Sequence, residues 1–239
     1  MSFRNAAKTS AAAAAMLAAI AVSGAAFAQD AGAGPSVSVN FGAATDYVFR
    51  GVSQTNEKAQ AFAGVDLAYD MFYAGAWTSN VDFSNAGDTS TTQEVDLYAG
   101  VKPTLGPIAL DVGALYYGYL NQPKGSPVDY WEFYAKGSHA VGPVTVGAAV
   151  YWSPEFTGKT GDGWYYEGNL AYAATDKLSF SGALGRQDIE AGGSYTTWNL
   201  GAGYAFTDNI ALDVRYWDTD IGGLDAAKGR VVATLKASF

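Results

Sequence analysis

The chain has 239 residues, with 14 basic against 23 acidic side chains, a net charge of −9 and no cysteine. Disulfide frameworks and thiolate metal sites are therefore excluded. The acidic balance argues against nucleic acid as a partner, since phosphate binding needs a basic patch. Aromatic residues make up 14% of the chain and glycine 29 positions, yet the mean hydropathy is 0.00. A membrane protein with half its strand positions facing water has such a composition, and so does a soluble β-sandwich.

Residues 1–28 read as an export signal. Arg4 and Lys8 form a positive start, Ala11 to Val22 is apolar, and Ala26-Phe-Ala28 supplies a small-x-small cleavage pattern. The run is too short to span a bilayer, so it is expected to be removed, leaving 29–239 as one domain. Cleavage takes away two of the 14 basic residues and none of the 23 acidic ones, so the net charge moves to 12 − 23 = −11.

About twelve segments alternate apolar and polar residues with the period of a strand. Strand 1 places Val37, Val39, Phe41, Ala43, Thr45, Tyr47 and Phe49 on one face and Asp46 and Arg50 on the other, and Gly51 to Lys58 follows as a polar connection. Strand 2 (Ala61 to Tyr69) turns at once into strand 3, where Tyr73/Trp77 and Phe72/Ala74/Ala76 compete for the apolar face. Strand 4 sets Val95, Leu97, Ala99 and Val101 against Glu94, Asp96 and Lys102. Strand 5 (Ile108 to Tyr116) carries Asp111 on its polar face. Strand 6 sets Trp131, Phe133 and Ala135 against Glu132 and Lys136. Strands 7 (Val144 to Trp152), 8 (Trp164 to Tyr172), 9 (Leu178 to Leu184), 10 (Trp198 to Phe206) and 11 (Ile210 to Tyr216) continue the pattern. The long connections include Asn80–Thr92, Asn121–Asp129, Ser153–Gly163, Gln187–Ser194 and Asp218–Lys228. Strand 12, Arg230 to Phe239, ends the chain on an aromatic at its apolar face.

Alternation alone does not say which face points inward, because a lipocalin-like barrel has the same period. Long connections collect at one end of the strands and short turns at the other. Aromatics on the apolar face sit at two levels: Tyr47, Phe49, Trp131, Trp152, Trp164, Trp198 and Tyr216 near the long loops, and Tyr69, Tyr172, Phe180, Phe206 and Phe239 near the short turns. The opposite face carries Asp46, Arg50, Asp66, Glu94, Asp96, Lys102, Asp111, Glu132, Lys136, Glu167, Arg186, Asp213, Arg215, Arg230 and Lys236, too many charges for a dry interior. The expected fold is all-β: a transmembrane antiparallel up-and-down barrel of about twelve strands, closed strand 12 on strand 1 so that no edge meets lipid. The terminal strand resembles the closing strand of bacterial outer-membrane barrels, which makes Phe239 the expected signal for the barrel-assembly machinery.

Thr45-Asp-Tyr-Val-Phe-Arg-Gly-Val-Ser-Gln54, together with Trp77-Thr-Ser-Asn-Val-Asp82 and Glu94-Val-Asp-Leu-Tyr-Ala-Gly100, resembles the TorF-type porin family of Gram-negative outer membranes. The likeness covers essentially the whole mature chain. It implies a porin-like barrel with outer-membrane lipid around it and no settled substrate.

Catalytic residues are not expected. The single histidine, His139, falls at a turn beside Gly142 and Pro143, away from the long-loop end where a Ser, Asp or Asn partner would be needed. Asp82 to Asp88 starts like a calcium loop, but the twelfth position is Gln93 instead of a bidentate glutamate. Gly201-Ala-Gly lies within a strand and lacks the third glycine of a dinucleotide fingerprint. No metal or cofactor is therefore expected. The lumen charges remain as the candidate site, with small polar solutes or ions as ligands and a mild cation preference from the excess of acids. Small inward residues (Ser38, Gly42, Gly64, Gly113, Gly147, Ser179, Ser181) are expected to leave room for water, while inward Phe62, Tyr134, Tyr151 and Trp217 work against it. The alternative is a non-conducting structural barrel that displays its loops.

Overall fold

A computed structural model describes residues 34–125 and 128–239; the export signal read at 1–28 lies outside the described residues. Twelve long strands alternate in direction: β1 Ser36–Ala44, β2 Gln60–Tyr69, β3 Phe72–Asn80, β4 Gln93–Val101, β5 Ile108–Leu120, β6 Tyr130–Val141, β7 Val144–Ser153, β8 Gly163–Ala173, β9 Leu178–Ile189, β10 Gly193–Ala205, β11 Ile210–Thr219 and β12 Arg230–Ser238. Each pairs antiparallel with the next, and β12 returns to β1 with Phe41 opposite Ala237. At that seam Phe239 and Val39 exchange both backbone hydrogen bonds, each at 2.9 Å. The barrel is closed, so backbone groups find partners along its whole circumference.

The outer face is apolar, as the alternation requires. Val39, Phe41, Val65, Leu67, Val112, Val146, Leu170, Leu200 and Leu235 are all exposed on it. Strand β3 resolves its two competing registers: Phe72 and Ala74 are exposed, whereas Tyr73 and Trp77 line the interior. Trp131, Trp164, Trp198 and Tyr216 ring the long-loop end, and Tyr69, Tyr172, Phe180, Phe206 and Phe239 ring the short-turn end.

Three expectations need correction. Strand β1 stops at Ala44 instead of running to Phe49, and residues 46–55 turn inward. There Val48–Phe49 and Val52–Ser53 form a short hairpin inside the barrel. Tyr47 is buried and Phe49 packs on Tyr117 at 5.8 Å between ring centroids, so neither belongs to the outer girdle. A hairpin alternates like the strand it leaves, and the pattern gave no sign of the change. The sign lies in Arg50-Gly51, whose φ values of 48° and 84° meet the requirement of a tight two-residue hairpin turn. A Cβ at Gly51 would also collide with Thr197 and Thr219.

The second correction concerns Gln187–Ser194. Strands β9 and β10 run on to Ile189 and back from Gly193, leaving only residues 190–192 as a turn. The third concerns interior space. Gly42 lies under the ring of Phe62 and Gly113 under that of Tyr134, so side chains from neighbouring strands fill the room that the missing Cβ atoms leave. Asn169 does the same over Gly147. Aromatic rings covering cross-strand glycines pin register while letting the sheet curve.

Candidate functional site

The inward hairpin is fastened to the barrel wall from both ends. At its base, Asp46 accepts hydrogen bonds from Ser53 Oγ (2.6 Å) and Thr55 Oγ1 (2.8 Å), and Arg230 Nη1 of β12 reaches its other oxygen at 2.8 Å. Gln54 N closes back onto Tyr47 O at 2.6 Å. Tyr47 Oη donates to Glu94 of β4 at 3.0 Å. At the tip, Arg50 Nη2 pairs with Glu132 of β6 at 2.8 Å, and Nη1 donates to Gln187 of β9 at 2.9 Å. The guanidinium also lies against Tyr165 (4.2 Å to the ring centroid), Phe49 (4.7 Å) and Tyr151 (4.9 Å). The pair is desolvated, with side-chain exposures of 6% and 1%. Such a pair is strongly destabilising to break, because the remaining charge has no water to turn to. One arginine thus ties the hairpin tip to four strands, β6 to β9.

Towards the short-turn end lies a second polar layer. Asp111 of β5 and Lys136 of β6 are direct cross-strand partners with 3.7 Å between charged atoms. Tyr73 Oη donates to Asp111 at 2.5 Å and also meets the Tyr134 hydroxyl. Lys102 stands over the Tyr73 ring at 4.4 Å. On the opposite wall Arg215 grips Asp213 through Nε (3.1 Å) and Nη2 (3.0 Å), and reaches Asn199 at 2.6 Å and Ser181 Oγ at 2.8 Å. Asp66 accepts from Tyr98 Oη at 2.5 Å, and Glu167 from Tyr165 Oη at 3.0 Å. Between these layers is a cavity of about 260 Å³ whose walls include Asp46, Arg50, Asp66, Asp96, Lys102, Asp111, Lys136, Glu167, Asp213, Arg215 and Lys236.

Arg186 is the exception among the charges assigned to the lumen. It shares the parity of Phe180 and Leu184, so it points outward above the apolar belt, where it is half exposed and pairs with Asp188 at 3.2 Å. The inward residue at that level is Gln187, 1% exposed and bonded to Arg50. Gln187 was readable from the same alternation, whereas the ring of inward aromatics (Tyr73, Trp77, Tyr98, Tyr117, Tyr165) has no charge to flag it. His139 is exposed at the short-turn end with Nδ1 2.9 Å from Pro107 O. Asp88 closes a local turn onto Ser90 and Thr91, and no cluster of metal-ligating residues occurs among the described residues.

The barrel has relatives among solved structures. It matches the KdgM porin, solved in complex with disordered oligogalacturonate, at a TM-score of 0.61 and 11% identity, covering 84% of this chain and 99% of that one. The NanC porin matches at 0.57 and 12% identity, covering 85% and 99%. An outer-membrane channel from Pseudomonas putida F1 matches at 0.52 and 12% identity, covering 86% and 94%. At these identities the likeness is one of fold: this chain has the barrel of outer-membrane porins. No curated protein matches its sequence. A family model does match, over residues 28–239, and the chain belongs to that family, Gcw_chp, described as bacterial proteins of unknown function.

Proposed function

We propose that the protein is an outer-membrane channel of the TorF type for passive diffusion of small polar solutes or ions, narrowed by its own inward hairpin. The observation that carries this reading is a charged cavity of about 260 Å³ inside a closed barrel with an apolar outer face. Charges are expensive to hold away from water, and a wet lumen is the cheapest place for them. Cations are the preferred species. Asp46, Asp111, Glu132 and Asp213 are each matched by an arginine or lysine at 2.8 to 3.7 Å. Glu94 and Asp96, on the same wall as Glu132, enter no ion pair among the described residues. Carboxylates without a balancing cation make the passage attractive to positive solutes.

The long loops would then face outward from the cell and both termini the periplasm. Phe239, exposed at the end of β12, would be presented to the barrel-assembly machinery and then to lipid. A second reading, a sealed structural barrel, is favoured by the desolvated Arg50–Glu132 pair across the upper lumen. The two separate by reversal potential in a KCl gradient across a planar bilayer. The channel gives a current whose reversal potential lies towards the potassium equilibrium value, and the double variant Glu94→Gln, Asp96→Asn shifts it towards zero. Silence from folded, inserted protein supports the sealed barrel.

A further inference from the structure

We propose that the adjacent carboxyls of Glu94 and Asp96 together form the anionic centre of a binding subsite for an organic ammonium group within the lumen. Asp96 is 7% exposed, lines the cavity, and its Oδ1 is buried without any hydrogen-bond partner. A buried carboxylate oxygen left unpartnered is costly, and the charge of a bound cation offsets that cost. Its neighbours favour an organic cation over a hydrated metal ion. Trp77 of β3 and Tyr117 of β5 are its direct cross-strand partners on either side. Tyr98 follows two residues later on the same inward face, and Tyr47 of the hairpin packs edge-on against Trp77 at 5.5 Å. All four rings line the same cavity as Asp96. Glu94, two residues back on the same face, is buried and receives the Tyr47 hydroxyl at 3.0 Å. A carboxylate surrounded by aromatic rings is the arrangement that recognises alkylammonium groups, since ring faces attract a cation without needing to strip firmly held water from it. A small metal ion would need several oxygen ligands instead, and the described residues offer no such cluster.

The inference rests on the channel reading for the route by which a ligand enters, but binding does not require conduction. Its test is therefore calorimetric titration of folded, detergent-solubilised protein with tetramethylammonium chloride, with KCl at matched ionic strength as control. Saturable binding that KCl does not displace is expected. Asp96→Asn should weaken it at least about tenfold, the loss of one charge-assisted contact of roughly 1.4 kcal/mol. Trp77→Leu, on a different strand, should weaken it without removing the carboxylate, and guards against a misfolded aspartate variant. Absence of saturable binding, equal displacement by KCl, or unchanged affinity in folded Asp96→Asn would each overturn the assignment. A barrel that binds tetramethylammonium yet passes no current refutes the channel and leaves this subsite standing.

Discussion

Arg50 concentrates most of the site's chemistry in one side chain. It sits at a positive φ that arginine rarely adopts, buried, paired with Glu132 and faced by three aromatic rings. Its turn geometry is tolerable because the surrounding contacts fix it. Arg50→Ala should therefore destabilise the barrel by about 3–5 kcal/mol in reversible unfolding, since Glu132 is left without a partner. Glu132→Gln in the same background should recover part of that loss by removing the stranded charge. A double variant as unstable as Arg50→Ala would show that the ion pair is not what fastens the hairpin. At this scale the sequence was a partial guide. It revealed that Asp46 and Arg50 are charges on an otherwise apolar run, but Tyr47 and Phe49 read equally well as strand residues and as the inward side of a hairpin. Arg186 has the parity of Phe180 and Leu184, so the alternation points it outward where its charge alone suggests the lumen.

The elements fall into two kinds, those the alternating pattern specifies and those that polar tethers specify. Strand faces belong to the first kind. Val146 faces outward and Thr145 inward on β7, so Val146→Arg should cost about 2–4 kcal/mol in bilayers and Thr145→Arg much less. Equal losses by reversible unfolding in lipid would place the register one residue off. The terminal strand is held by Val39 and by stacking of Phe239 on Phe41 at 6.0 Å. Phe239→Asp should leave the protein in the periplasm or degraded, and a normal amount of heat-modifiable band in outer membranes would refute its role in assembly.

The loops belong to the second kind, and here the sequence was least informative because polar contacts carry no periodicity. Lys58 at the hairpin's exit bonds Asp82 at 2.6 Å, and Asn56 bonds Ser84 at 3.0 Å, tying the hairpin to the loop after β3. The Lys58 hydrogen bond, followed by those from Ser84, lowers the Asp82 carboxyl from its usual 3.8 to about 2. A depressed folded-state value means that the tether is intact above about pH 4 and lost as pH falls through about 2. Carboxyl chemical shifts of Asp82 should titrate near that lower value, and Lys58→Met should bring the midpoint back towards 3.8. A midpoint near 3.8 in the wild type would show that the tether does not form in solution.

For the whole molecule, strand number, closure and the apolar outer face were legible because each follows from period 2 and from the need to pair every backbone group in lipid. The filling of the lumen was not. Glycines that suggest open space from sequence are covered by Phe62 and Tyr134, and a further obstruction comes from a loop whose inward turn depends on contacts with Glu132, Gln187 and Arg230, remote in sequence. A barrel of this strand number is wide enough for a channel only if the hairpin does not fill it. Single-channel recording of the wild type beside a variant in which residues 46–58 are replaced by a short Gly/Ser linker measures that directly. Small, cation-preferring steps from the wild type and larger, less selective steps from the linker variant are predicted. No steps from either protein, both verified as folded and inserted, or steps of identical size from the two, would contradict a channel narrowed by its hairpin.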